Sequence, residues 1–325
     1  MKALVFDRFG GPAVLEYRDV PDPVLRPGEA RVRTEAIGLN FADVYRRRGD
    51  YHLVGAPPFI AGYEGAGVVV EVCPAAGGGP APFRPGDRVG FADAPFANAE
   101  QVAVPLDRLI PLPPDVSAET AAAVLLQGLT AQYLARDSHR LAPGETALVH
   151  AAAGGVGLLL VQIAKGVGAR VLGLTSTEEK RSACFAAGAD DVALYTADWV
   201  TAAHAFSGQR GVDVAYDSVG RTLGDSLRAV RVGGHVVFYG MAGGDPDPVD
   251  PRLLMDESKT LSGGDLWNVL TGPEERIRRA AELFEWLRTG RLHVEVSARF
   301  PLADGAEAHA FLESRRSIGK VLLIP

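Results

Sequence analysis

Between residues 146 and 264 the hydrophobic positions come in short, nearly unbroken runs: 146–150, 169–175, 191–195, 212–217, 235–240 and 259–264. Continuous apolar runs of this length suit strands buried on both faces. Residues 158–165 and 177–187 carry helical spacing instead, and Thr177 stands where an N-cap hydroxyl is wanted. Runs of one kind alternating with runs of the other predict βαβ units and an α/β, doubly wound parallel sheet.

The pattern changes on either side. Residues 1–122 hold short alternating strands, such as 30–36 and 67–72, broken by Pro21, Pro23, Pro27-Gly28 and Pro85-Gly86-Asp87. Alternation with turn residues between predicts a compact, mostly antiparallel β domain. Residues 73–82 read as a surface loop or hairpin tip. Near the C-terminus a long amphipathic helix over 274–287 and strands over 293–300 and 320–324 return to this domain. The expected organisation is therefore 1–122 with 265–325 as one domain and 123–264 as the other.

Composition narrows the function classes. The 325 residues are 47% hydrophobic, enough for two full cores. The net charge of −7 offers no basic footprint for nucleic acid. No run approaches the roughly 20 apolar residues of a membrane helix. A strand pattern at 2–6 leaves no visible signal peptide. Cys73 and Cys184, the two cysteines, lack metal spacing and fit a reducing cytoplasm.

The strand at 146–150 runs into Ala151-Ala152-Ala153-Gly154-Gly155-Val156-Gly157 and then a helix. A tight small-residue turn between strand and helix suits a phosphate, because first-turn N–H groups and the helix dipole both favour an anion, with a turn that serves packing alone as the alternative. The dinucleotide spacing G-x-G-x-x-G is met at 152, 154 and 157, with Ala152 replacing the first glycine. Phe238, Tyr239 and Gly240 end the fifth strand, where such a sheet presents its crevice. After the second strand, the acidic residue that would hold an NAD ribose is replaced by Ser176, with Lys180 one turn on. This suits a 2′-phosphate, hence NADPH, through charge-assisted contacts; an ordinary solvated helix start is the alternative.

Taken together, the ordered motifs resemble a known family along nearly the whole chain. They include Gly38-Leu39-Asn40-Phe41-Ala42-Asp43-Val44-Tyr45, Gly62-Tyr63-Glu64-Gly65-Ala66-Gly67, Pro85-Gly86-Asp87-Arg88-Val89, Gly128-Leu129-Thr130-Ala131, the turn at 151–157, Asp217-Ser218-Val219-Gly220 and Glu313-Ser314-Arg315. The chain is similar to the zinc-free quinone oxidoreductases, the zeta-crystallin-like group of the medium-chain dehydrogenases/reductases. The resemblance implies a GroES-like domain and a Rossmann domain with the active-site cleft between them. It implies that Asn40 and Thr130 lie at the nicotinamide and that Ala153, Gly154, Gly155, Val156, Gly157, Ser218 and Val219 hold the cofactor. Tyr195 and Arg315 are expected to join Ser176 and Lys180 at the 2′-phosphate. Gln127 stands where some relatives carry lysine.

Metal chemistry is argued from the donors. The zinc ligands of related alcohol dehydrogenases fall at Asn40 and Tyr63, which are poor ligands. The seven histidines show no paired ligand spacing, and His150 reads as structural. Tyr45 and Tyr51 are candidates to line an acceptor pocket by stacking or hydrogen bonding, with core aromatics as the alternative. Asp43 and Arg47 are expected to form an i,i+4 pair. The expected activity is NADPH-dependent reduction of a quinone or conjugated carbonyl. An enone, alkenal or enoyl-thioester reductase and a non-catalytic NADPH-binding protein are the alternatives. The strand at 259–264 is an expected homodimer edge.

Overall fold

The computed structural model describes residues 1–77 and 81–325, so residues 78–80 of the predicted loop lie outside the described residues. In chain order the first stretch contains β1 (Lys2–Phe6), β2 (Glu16–Asp19), β3 (Glu29–Leu39), α1 (Phe41–Arg48), β4 (Phe59–Ile60), β5 (Glu64–Cys73), β6 (Arg88–Ala92), β7 (Gln101–Pro105), β8 (Ile110–Pro111) and α2 (Ala118–Tyr133). The middle contains β9 (Thr146–Val149), α3 (Gly155–Val167), β10 (Arg170–Thr175), α4 (Glu178–Ala186), β11 (Asp191–Leu194), α5 (Trp199–Phe206), β12 (Val212–Asp217), α6 (Leu223–Ala229), β13 (Val230–Phe238), α7 (Pro251–Asp256) and β14 (Thr260–Gly263). The chain ends with α8 (Pro273–Arg288), β15 (Val296–Pro301), α9 (Gly305–Glu313) and β16 (Lys320–Ile324).

Two compact units result. One comprises Met1–Leu126, Leu270–Arg288 and Val294–Pro325; the other comprises Gln127–Val269 and Thr289–His293. In the first, a seven-stranded sheet runs β15-β16-β3-β5-β6-β8, with β7 also paired to β3, beside a three-stranded sheet β2-β1-β4. Strand β3 shows how sequence sets this unit. Ala30, Val32 and Thr34 are buried and alternate with less buried Arg31, Arg33 and Glu35, so one face packs inward. From Ala36 to Leu39 every residue is buried. The strand thereby leads from a one-sided sheet into the interior, where it delivers Asn40.

The second unit is a six-stranded parallel sheet ordered β11-β10-β9-β12-β13-β14. Its strands read as continuous apolar runs because helices cover both faces. Leu148, Leu172, Leu174, Ala215 and Val236 share one core with Trp199 and Leu223. Strand β13 differs from the expected run at 235–240: it begins at Val230 and stops at Phe238. Strand β14 forms the sheet edge. Among the described residues no helix is long and apolar enough to cross a membrane.

Candidate active site and nucleotide turn

In the first unit the site grows from the end of β3. Asn40 caps α1: its backbone N–H donates to Asp43 Oδ2 at 3.0 Å, satisfying the group that the helix leaves free. Its side chain is fully engaged. Nδ2 donates to Glu64 Oε2 at 2.8 Å and to the Gly38 carbonyl at 3.2 Å. Oδ1 accepts from Lys320 Nζ at 2.9 Å, and the same ammonium reaches Glu64 Oε2 at 2.6 Å. Glu64 Oε1 accepts from Leu126 N at 2.7 Å. Glu64 and Lys320 have fully buried side chains, so the charges neutralise each other in a low-dielectric site where an unpaired ion would be very costly.

The aromatic candidates lie around Arg46. Its guanidinium stacks 3.6 Å from the Tyr63 ring centroid and 5.0 Å from that of Tyr51. The Tyr63 hydroxyl accepts from Val54 N at 3.1 Å, and the Tyr51 ring lies against His52 at 3.8 Å. Tyr45 packs against Phe41 at 6.2 Å. Burial pushes the Asp43 carboxyl up to about 6, against the pull of Arg46. Here one expectation is corrected: Asp43 pairs with Arg46 at 3.4 Å, an i,i+3 contact. Arg47 turns instead to Glu313, the Gly10 carbonyl and His309. The α1 face carrying Arg47 is the one packed on α9, so Glu313 is within its reach and Asp43 is not needed.

In the second unit the turn after β9 is locked by a carbonyl of β10 and one of its own. Ala152 N donates to Leu174 O and Gly154 N to Ala151 O. Gly155, Val156 and Gly157 open α3, so their N–H groups have no intrahelical acceptor and are available to an anion. The glycines are needed for close approach. A Cβ on Gly157 would sit 2.4 Å from Ala151 O, and one on Gly155 would sit 1.8 Å from Gln127 Oε1. Gly157→Ala should therefore displace the helix start and weaken nucleotide binding by about a hundredfold, a loss of a few kcal/mol. A fluorescence titration giving unchanged affinity would remove the turn from the site. Ala153 is buried beside these glycines.

Ser218, Val219, Phe238, Tyr239 and Gly240 sit at or just beyond the carboxyl ends of parallel strands. Asp217 pairs in register with Phe238; beyond them, Tyr239 N donates to Asp217 O and Ala242 N to Ser218 O. Val219 N donates to Asp217 Oδ1 at 2.8 Å, and the Gly240 backbone lies against Ser218. Thr130 is on α2, nearly buried. Ser176 is exposed and Lys180 half-buried at the start of α4, whose Arg181 pairs with Glu178. The Tyr195 hydroxyl stands 2.8 Å from Ala151 N, at the turn. Arg315, in the other unit, is exposed with φ 59°.

Sequence reasoning missed two partners. Lys320 reads as the polar start of an apolar strand, and no local pattern ties it to Asn40. Two histidines without ligand spacing in the sequence also meet in the fold. His139 Nδ1 lies 3.2 Å from His235 Nδ1, with Glu145 on the far nitrogen of one and Ser262 on that of the other. These histidines are 96 positions apart, and only the sheet order brings them together. Among the described residues no group of three or more His, Cys, Asp or Glu is arranged to hold a metal.

A GroES-like unit joined to a Rossmann unit defines the medium-chain dehydrogenase/reductase class. Residues 26–146 match the alcohol dehydrogenase GroES-like domain, and residues 155–286 match the family model described as zinc-binding dehydrogenase. A quinone oxidoreductase of Pseudomonas aeruginosa is 39% identical, covering 100% of this chain and 99% of that protein. A 2-haloacrylate reductase of a Burkholderia species is 36% identical, covering 99% and 98%. Escherichia coli quinone oxidoreductase, solved with NADPH, superposes with a TM-score of 0.95 at 35% identity over 100% of both chains. A mycobacterial protein solved with NADPH gives 0.95 at 40% identity over 100% of both. The chain belongs to the quinone oxidoreductase family of this class.

Proposed function

We propose that the protein reduces quinones or related conjugated carbonyls with NADPH and without zinc. The observation that carries this reading is Lys320. Its ammonium, 2.6 Å from Glu64 and 2.9 Å from Asn40, already neutralises the Glu64 carboxylate. Zinc takes thiolate, imidazole or carboxylate. Asn40 offers an amide already spoken for, and the Tyr63 hydroxyl is held by Val54 N and its ring by Arg46. These residues do not fit the metal that the matched family model names.

Without a Lewis acid the site lacks a stabiliser for an alkoxide, so alcohol oxidation is disfavoured. Reduction of a quinone needs less: charge spreads onto oxygen, and hydrogen-bond donors with a proton source suffice. NADPH, when bound, supplies the hydride. In this reading Gly154, Gly155, Val156 and Gly157 hold the pyrophosphate, Ala153, Ser218, Val219, Phe238, Tyr239 and Gly240 border the cofactor, and Thr130 meets its carboxamide. Asn40, fixed by Lys320 and Glu64, orients the nicotinamide, while Tyr45 and Tyr51 receive the acceptor ring. The same reading pairs the β14 edge with that of a second copy. A conjugated acid is the second candidate substrate, favoured by the similarity to a 2-haloacrylate reductase.

The test is NADPH consumption with 1,4-benzoquinone, naphthoquinones, alkenals, 2-haloacrylates and no acceptor. Turnover with at least one of these electrophiles, unaffected by strong chelators, is expected. Activity lost to a chelator and restored by zinc would overturn the metal-free reading. No turnover with any of them would favour a binding role.

A further inference from the structure

A buried chain of polar groups in the second unit runs from Asp217 to the nucleotide turn, and its hydrogen positions follow from the carboxylate outward. Asp217 Oδ2 accepts from the Ser226 hydroxyl at 2.6 Å. Ser226 Oγ has then spent its proton, so it accepts from His150 Nε2–H, 3.0 Å away. Neutral imidazole carries a single N–H, which leaves Nδ1 as an acceptor. It receives the Tyr195 hydroxyl proton at 3.2 Å. The Tyr195 oxygen in turn accepts from Ala151 N at 2.8 Å. One tautomer of His150 satisfies every link.

The surroundings enforce that state. His150, Ser226 and Asp217 are all 0% exposed. Burial pushes the His150 pKa below its ordinary value, which keeps the ring neutral. Its ring stands perpendicular to that of Trp199, with centroids 5.2 Å apart. The Asp217 carboxylate is anchored further by Val219 N, Gly220 N and the Thr222 hydroxyl. At the other end, Ala151 has φ 46°, the left-handed region that a residue with a Cβ enters only when its neighbours hold it there. Its carbonyl accepts from Gly154 N and touches Gly157. Any shift of Ala151 therefore moves the start of α3.

We propose that Tyr195 and His150 are positioning residues for the nucleotide pyrophosphate, their relay fixing Ala151 and, through it, the N–H groups of Gly155, Val156 and Gly157. This rests on reading the turn as the NADPH site. It gives the Tyr195 hydroxyl a task shared by every dinucleotide, separate from recognition of the 2′-phosphate.

NADPH and NADH distinguish the two tasks, since both carry the pyrophosphate. In Tyr195→Phe the Kd of NADPH and that of NADH should rise by the same factor, about tenfold for one lost buried hydrogen bond. Turnover at saturating NADPH should stay within about twofold, because only ground-state positioning is lost. His150→Phe should give the same rise, and the double variant no more than either alone, because both remove one relay. Nitrogen-15 NMR of the unmodified protein should show His150 protonated at Nε2 and bare at Nδ1. A loss confined to NADPH, additive effects, or protonation at Nδ1 would overturn the relay, the last without any variant that must fold. Failure of the unmodified protein to bind either nucleotide would instead overturn the NADPH reading.

Discussion

Lys320→Met is expected to destabilise the protein by about 3–5 kcal/mol, because it strands a buried carboxylate. Glu64 and Lys320 are both fully buried at the side chain, 2.6 Å apart. Removing the ammonium leaves Glu64 with only the amide of Asn40 and the N–H of Leu126. Neither carries a compensating charge. Glu64→Gln alone should be damaging for the mirror reason, an unpaired buried ammonium. The double variant Lys320→Met with Glu64→Gln should recover more than half of the loss, since no buried charge remains. Urea unfolding of the four proteins measures the coupling directly. Strictly additive losses, or a Lys320→Met protein within about 1 kcal/mol of the parent, would show the pair to be hydrated and unimportant. Activity gives a second readout. Asn40 Oδ1 loses its donor in both variants that lack Lys320, so turnover should stay low in the double variant even where stability returns.

This pair also marks what could be read from the chain and what could not. The Rossmann strands were legible because a parallel sheet covered on both faces demands mostly apolar runs, as in 171–174 and 214–216. Strand β13 begins ahead of the apolar run at 235–240 because Gly233-Gly234 adds no apolar side chain to the pattern, and Gly233 takes φ 69° inside the strand. The place of Asn40 between a strand and a helix was legible. Its partner Lys320 lies 280 positions away. Nothing local distinguishes a lysine opening the strand Lys320–Ile324 from a solvated strand end. Only the antiparallel pairing of Val321 with Leu39 carries it to the end of β3. The pairing of Asp43 with Arg46 rather than Arg47 was likewise decided by what packs on each face of α1, and helical spacing permits both.

Cofactor choice should be decided by few side chains, and their removal should have a large effect. Ser176, Lys180 and Arg315 are the proposed contacts to a phosphate that NADH lacks. Hydrogen bonds to charged groups contribute about 1.5–3 kcal/mol each, so two cationic contacts correspond to a preference for NADPH of a hundredfold or more. Lys180→Ala should raise KM for NADPH by about tenfold or more and leave that for NADH nearly unchanged. Adding Arg315→Ala should nearly erase the preference. Ser176 and Arg315 are exposed and Lys180 half-buried, so salt should weaken the discrimination, with most of the loss between about 0.01 and 0.15 M as the screening length shortens. Tyr195 separates the two groups of contacts. Its hydroxyl is engaged at Ala151, so Tyr195→Phe should lower the affinity for both dinucleotides while the lysine and arginine variants affect one. Equal efficiency with NADH and NADPH in the unmodified protein would mean that Ser176 and Lys180 form only a solvated helix start, and the cofactor assignment would have to rest on the turn alone.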